Sequence, residues 1–296
     1  MSITLVSGAD VATIQEDWWA SLKHGGLLIA PAKVDEFFVA ESLAPLNPYW
    51  VDALRREVTE LQDRQSYSRN RGSDPVGKLL DIVLEKVLGL PELEWQKGNQ
   101  VDRSWTCKAI TGESIKPRRV WQGGQGEVLP VFVADGQDAG GKVARLGIGR
   151  GKRSLSRVIE WLRKANYPVA LLTNGFQWRL IHAGADYDAW CEWDIAFWFE
   201  AGQLGNQVKA LRLLLGETAL RSPQAGLPSP LLAAIQSSRQ GQGELSAVLG
   251  ERVRQAVELL IQESAEGLAS LRNREENSTP PSRLPTPSNT DIYIAW

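Results

Sequence analysis

The chain has 296 residues, enough for one large domain or two smaller ones, and its 43% hydrophobic content can bury a sizeable core. A formal net charge of -2 excludes a molecule that is polycationic as a whole, so any nucleic-acid contact must come from a local patch. Two cysteines, Cys107 and Cys191, are too few for a disulfide framework or a zinc site, and their apolar, strand-like contexts predict buried free thiols. The opening MSITLVSGAD lacks the basic region and long apolar run of a signal peptide. No window holds about 18 uninterrupted apolar residues, so a soluble, cytoplasmic protein with no membrane partner is expected. Twelve tryptophans stand against one methionine, and most of those indoles should lie in the core.

Residues 1–74 read as helical and irregular, with helices expected over 11–22 and 49–62 and a polar, basic loop over 66–74. Asn47-Pro48-Tyr49-Trp50 has only a surface likeness to the Asn-Pro-Pro-Tyr loop of amino-methyltransferases. The second proline is missing and no glycine-rich cofactor loop precedes it, so a turn with Pro48 near the first helical position is the reading. Residues 75–88 carry a helical apolar face that Gly89 ends, with Glu85 beside that face. Residues 101–110 alternate as a half-buried strand does, 116–120 form a short basic loop, and Gly123-Gly124-Gln125-Gly126 is a turn.

The stretch 127–182 then organises the chain. An apolar strand over 128–134 ends in Asp135, and a second is expected over 143–148. Arg150, Lys152 and Arg153 precede an amphipathic helix with Leu155, Ile159 and Leu162 at helical spacing. A strand over 169–172 turns through Thr173-Asn174-Gly175 into another over 178–182. Residues 190–196 are expected as an edge or closing strand of the sheet. Helices follow over 204–216, 228–238 and 244–275, with Gly267 a candidate break in the last. Residues 277–290 are a linker rich in Pro, Ser and Thr, and 291–296 resemble the start of a further element of a longer protein.

A metal-dependent nuclease needs carboxylates that hold magnesium beside the scissile phosphate and a lysine that helps polarise the attacking water. The usual form is an Asp ending one strand and Glu-x-Lys on the next. Asp135 fits the first position, but the expected second strand holds Gly147 and Gly149 where Glu and Lys belong. Asp138 and Glu127 as alternative carboxylates, and Lys152 as an alternative cation, lack the spacing. The plain reading of Asp135 is a turn residue before Gly136. The segment 142–164 carries eight cations against one acid, Glu160, and Arg150, Lys152, Arg153 and Arg157 gather at a helix N-terminus. That arrangement suits phosphate contacts, with a solvated helix face as the plain alternative. The glycines of GIGRG lack the Lys-Ser/Thr ending of a phosphate loop and the third glycine of a dinucleotide loop. His24 and His182 have no ligand cluster.

The segment PVALLTNGFQWRLIH, residues 168–182, resembles one in type IIG restriction–modification enzymes and in the related phage-defence methyltransferases of the DISARM and BREX systems. There it forms the last two core strands of an N-terminal PD-(D/E)xK nuclease-like domain. The helix before it, and the helix ending LEKVLGL, also fit, and by this resemblance Glu85 would be the acid of the domain's first helix. The resemblance covers about residues 75–200. It implies an α/β, restriction-endonuclease-like core, a mixed central sheet flanked by helices, with a helical C-terminal extension. The organisation expected is 1–74 helical and irregular, 75–200 nuclease-like core, 201–276 helical connector and 277–296 linker.

Because Glu and Lys are missing, the function expected is a degenerate module without metal or cofactor. It would dock on the DNA phosphate backbone through Arg150, Lys152, Arg153 and Arg157, with other defence-system subunits as further partners. One alternative is an active Mg²⁺-dependent endonuclease that uses Glu85, Asp135 and Lys152. Another is a protein-interaction scaffold.

Overall fold

The computed structural model describes residues 18–39, 43–66, 75–134 and 142–277. Strand β1 (Lys23–Gly25) and helices α1 (Pro31–Phe37) and α2 (Pro48–Ser66) come first. Helix α3 (Pro75–Asp81) runs on as a π-helical stretch, Ile82–Val87. Strand β2 (Trp95–Lys97), the small hairpin of β3 (Cys107–Lys108) and β4 (Ser114–Ile115), and strands β5 (Arg119–Gln122) and β6 (Val128–Val133) follow. Helix α4 (Gly151–Ala165) leads to β7 (Val169–Thr173), β8 (Gln177–Ala183) and β9 (Asp188–Asp194). A two-stranded hairpin, β10 (Phe199–Glu200) and β11 (Gln203–Leu204), precedes helices α5 (Asn206–Leu215), α6 (Glu217–Leu220) and α7 (Pro230–Asn277).

Among the described residues, seven strands form one mixed sheet in the order β1-β9-β8-β7-β6-β5-β2. Every neighbouring pair in it is antiparallel except β6 and β7, which are parallel and joined through α4. A parallel pair needs such a crossover, because the chain must return to the starting edge. Period-two alternation sends Leu129, Val131, Leu171, Leu180 and Cys191 into one core with α2, α3 and α5. It sends Val120, Phe132, Ala170, Leu172 and Ile181 into a second core under α4, with Val158, Trp161 and Leu162. The sheet therefore lies between two helical layers, an α/β architecture.

The indoles fill these cores as expected. Trp18, Trp121, Trp161, Trp178, Trp193 and Trp198 are fully buried. Trp161 stacks on Tyr167 at 5.5 Å, meets Phe132 edge-on, and donates its Nε1–H to the Trp105 carbonyl at 2.8 Å. Cys191 is a buried free thiol whose pKa burial pushes far up, and Cys107 is a half-buried one. The turn before α2 stands as read: the Asn47 side chain accepts from the Tyr49 N–H at 2.9 Å, and Pro48 is the first helical residue. Gly89 ends α3 and its π stretch with φ of 74°.

Four expectations need correction. Residues 143–148 do not form a strand of the sheet. Gly147 and Gly149 have φ of 74° and 52°, and the backbone closes turns through Ile148 N–H to Arg145 O and Gly151 N–H to Ile148 O. The strand expected over 101–110 is reduced to Cys107–Lys108, because Asp102 accepts from the Ser104 N–H at 2.7 Å and starts a 3₁₀ turn, Arg103–Trp105. Strand β9 is not an edge, since β1 pairs outside it with Gly25 opposite Trp190. The helices expected over 228–238 and 244–275 are one helix, α7. Of the helix expected over 11–22, residues 18–20 are helical and 11–17 lie outside the described residues, as do Asp135, Asp138 and the segment 278–296. The chain divides into two compact units, Met1–Gly241 and Gln242–Trp296.

His182, on β8, sits between the Pro168 carbonyl, 2.6 Å from Nδ1, and the Tyr187 hydroxyl, 2.8 Å from Nε2. That pairing fits a neutral ring, with Nδ1–H donating and Nε2 accepting. Burial lowers its pKa, the Pro168 bond opposes that, and the Arg239 charge adds to the lowering. The unfolded ring takes a proton near pH 6.5 while the folded one resists, so the unfolded state binds more protons below that pH. Stability should therefore fall as pH drops below about 6.5, and His182→Gln should flatten the fall in thermal midpoint between about pH 5 and pH 7.5. An unchanged pH slope in the variant would remove His182 as its source.

Candidate functional site

The basic segment is built on α4 and the loop before it. Arg150 is the N-cap residue of α4, Lys152 and Arg153 stand exposed on its first turn, and Arg157 follows one turn on. The four residues singled out from the sequence therefore share the outer, N-terminal half of one helix. Arg153 and Arg157 both pair with Glu113, from the turn between β3 and β4. The N–H groups of Gly151, Lys152 and Arg153 donate to the carbonyls of Ile148, Gly149 and Arg150, so the helix start is itself hydrogen-bonded. Further along, Arg163 holds the Gly184 and Tyr187 carbonyls at 2.7 and 3.2 Å, and Lys164 pairs with Glu160 and the Lys108 carbonyl. These two cations fasten the helix to neighbouring segments.

The segment Thr173–Leu180 explains why the loop before α4 takes its course. Thr173 Oγ1 donates to the Gln177 carbonyl and accepts from the Gly175 N–H, Asn174 Oδ1 accepts from Phe176 and Gln177, and Gly175 has φ of 91°. These bonds lock the hairpin β7–β8. The same side chains reach across to the loop. Asn174 Nδ2 donates to the Ala144 carbonyl at 2.9 Å, and the Leu146 N–H donates to Gln177 Oε1 at 2.9 Å. Arg179, 6% exposed, pairs with the 3% exposed Glu192 at 2.5 Å and also holds the Leu146 carbonyl at 3.3 Å. Its guanidinium lies 3.7 Å from the Trp190 ring centroid. A Cβ on Gly147 would stand 2.7 Å from Arg179 Nη1. Gly147 is therefore glycine because the loop turns and the guanidinium needs the space. It is not a strand position that has lost a carboxylate.

Glu85 lies on the other face of the sheet from α4, on the π-helical stretch. Its side chain is 5% exposed and accepts from Lys97 Nζ. The Lys97 ammonium also stands 3.3 Å from Asp81 and 3.7 Å from Glu92, and Arg119 pairs with Asp81 at 2.5 Å. Burial works against the Lys97 charge, but the Glu85 hydrogen bond and the Asp81 and Glu85 charges outweigh it and raise its pKa. For Asp81, burial is likewise outweighed, first by the Arg119 hydrogen bond and charge and then by Lys97, so its carboxyl stays below the usual range. Lys97 and Arg119 are cross-strand partners, which only the register reveals. The i, i+4 spacing of Asp81 and Glu85 on a helix was the one legible signal of this cluster.

Glu127, the other sequence-derived carboxylate, accepts from the Ser222 and Gln125 N–H groups and ties loops together. Among the described residues no group of three or more His, Cys, Asp or Glu is placed to hold a metal ion. A cleft of about 340 Å³ opens beyond the carboxyl ends of β6 and β7, lined by Gln62, Lys142, Arg145, Phe176, Asp194 and Ile195 among others. In α/β sheets that end of the parallel strands is where ligands bind.

The role of Gly147 has a direct test. Gly147→Glu should cost about 1–3 kcal/mol, measured by denaturant unfolding, and Mg²⁺ should restore none of it. A variant as stable as the parent, or one whose midpoint rises with Mg²⁺, would return the glycine to the role of a lost ligand.

Compared with known proteins, the chain matches no family model, no curated protein and no solved structure.

Proposed function

We propose that the chain is a nuclease-like docking module without a hydrolytic centre, one that holds nucleic acid by its phosphates, of the kind found in restriction- or defence-type DNA methyltransferases. The observation that carries this reading is strand β6. In the resemblance drawn from residues 168–182, the Glu-x-Lys strand is the one that precedes the crossover helix. That strand is β6, parallel to β7 and joined to it through α4. It reads VLPVFV, and the pair at Glu-x-Lys spacing on the face toward α3 is Val131 and Val133. Two valines offer a divalent cation nothing, and the acid on the neighbouring helix, Glu85, already neutralises Lys97. The module keeps three features that suit docking: a helix between β6 and β7, cations on that helix's outer turns, and Lys142 and Arg145 at the cleft beside it.

A gel-shift titration with duplex DNA at several salt concentrations tests the reading. Arg150→Ala with Lys152→Ala should weaken binding and reduce the salt slope by about 1–2, at about 0.9 for each phosphate that is no longer neutralised. Glu113→Ala, which frees Arg153 and Arg157 from their shared carboxylate, should strengthen binding and steepen the slope. No binding by the parent, or identical slopes in all three proteins, would remove phosphate docking on this helix. Plasmid cleavage with Mg²⁺ that is abolished in Asp135→Ala would replace the reading with an active endonuclease.

A further inference from the structure

The cleft beyond the carboxyl ends of β6 and β7 holds more chemistry than phosphate docking uses. Its volume of about 340 Å³ is that of a site for one small ligand. Its lining is of three kinds. Phe176, Val143 and Ile195 give it an apolar part, Lys142 and Arg145 bring cations, and Asp194 brings a carboxylate.

The apolar part is held in place before any ligand arrives. Phe176 packs against the main core, its N–H donates to Asn174 Oδ1 at 3.0 Å, and its carbonyl accepts from the Ile195 N–H at 2.9 Å. The buried side chains of Asn174 and Gln177 are engaged by the hairpin, by Glu192 and by the loop before α4. Walls fixed in this way lose little conformational freedom when a ligand enters.

The charged groups are less committed. The Arg145 side chain is 63% exposed, and among the described residues its guanidinium pairs with Asp194 alone, at 3.8 Å, too far for a hydrogen bond. Asp194 is 17% exposed, and its Oδ1 accepts from the Ala196 N–H at 3.1 Å. Its Oδ2 faces Arg145 and has no donor within hydrogen-bond distance among the described residues.

We propose that the cleft takes one unpaired nucleotide of a docked nucleic-acid strand. This rests on the phosphate-docking reading and adds which part of the nucleic acid enters. A planar base suits the apolar wall at Phe176, since bases settle on aromatic side chains. The nucleotide's phosphate meets Arg145 and Lys142, and Asp194 accepts from a base N–H. That last contact selects an unpaired base, because the N–H groups on the pairing edge are engaged inside a duplex and open in a single strand. A bare phosphate would meet the Asp194 carboxylate with its own negative charge, and a neutral apolar molecule would cover two charged groups without pairing them. A duplex, whose major groove alone is about 12 Å wide, stays outside on the cations of α4.

Fluorescence anisotropy at one fixed salt concentration tests this with a blunt DNA duplex, the same duplex carrying a short single-stranded overhang, and that overhang made abasic. The parent should bind the intact overhang about tenfold more tightly than the blunt duplex. The abasic overhang keeps its phosphates and should lose most of that advantage. Asp194→Asn keeps the oxygen that caps Ala196 and should also lose most of it, as should Arg145→Ala, each with the thermal midpoint of the parent. Equal binding of blunt and overhang duplexes, or an abasic overhang that binds as well as the intact one, overturns the proposal and leaves phosphate docking standing. No binding to any of the three removes both. Deoxycytidine monophosphate that competes as tightly as the overhang would make the cleft a site for free nucleotides and overturn the assignment to a strand.

Discussion

A buried guanidinium must be fully satisfied or the fold around it fails, and Arg179 imposes that requirement on the centre of this molecule. Its partner Glu192 is equally buried, and loss of Arg179 would leave that carboxylate with the half-exposed Lys23, 3.7 Å away, while loss of Glu192 would strand the buried guanidinium at a cost of about 3–5 kcal/mol. Glu192 in turn accepts from Gln177, and the remaining donor capacity of Arg179 goes to the Leu146 carbonyl and the face of Trp190. The loop before α4 is thus seated by the needs of a charge pair on β8 and β9. Where that loop sits decides where α4 begins, and so where Arg150, Lys152 and Arg153 stand.

A second set of charges is resolved on the opposite face of the sheet by the same logic. Lys97 and Arg119, neighbours across β2 and β5, meet Asp81, Glu85 and Glu92 from α3 and the turns that follow it. An ammonium occupies the space among three carboxylates, and a guanidinium closes the group. This is electrostatic glue between a helix and the sheet edge. It is also why Glu85 has its charge neutralised internally. The two faces therefore divide the work: one binds a helix by ion pairs, the other turns a basic helix surface toward solvent.

Much of the sheet was legible from the sequence because its central strands are continuous apolar runs bounded by turn residues, as in 128–134, 169–172 and 178–182. The segment 143–148 carries the same apolar pattern yet forms a loop. Its backbone partners are side chains of Asn174, Gln177 and Arg179, some 30 residues away, and no local pattern reveals a bond of that kind. Strand β1 was missed for a related reason: three residues, Lys23-His24-Gly25, are strand only because β9 offers them an edge. At the candidate site, the four cations of α4 could be grouped from helical spacing alone. Glu113, which pairs with two of them, could not, since it arrives from a hairpin 40 residues earlier in the chain.

The sequence by itself determined the elements that depend on neighbours a few residues away: the apolar strands, the amphipathic helices, the Asn47–Pro48 helix start and the Thr173–Gly175 turn. It also determined that β6 carries no acid and no base. Only the tertiary structure decided which strand precedes the crossover helix in the sheet, and why Gly147 is glycine. It also decided that Glu85 already has a cation and that Arg153 and Arg157 share a carboxylate. Those facts rest on pairing between distant segments, and the energy of a buried charge depends on which partners the fold brings to it, not on its place in the chain.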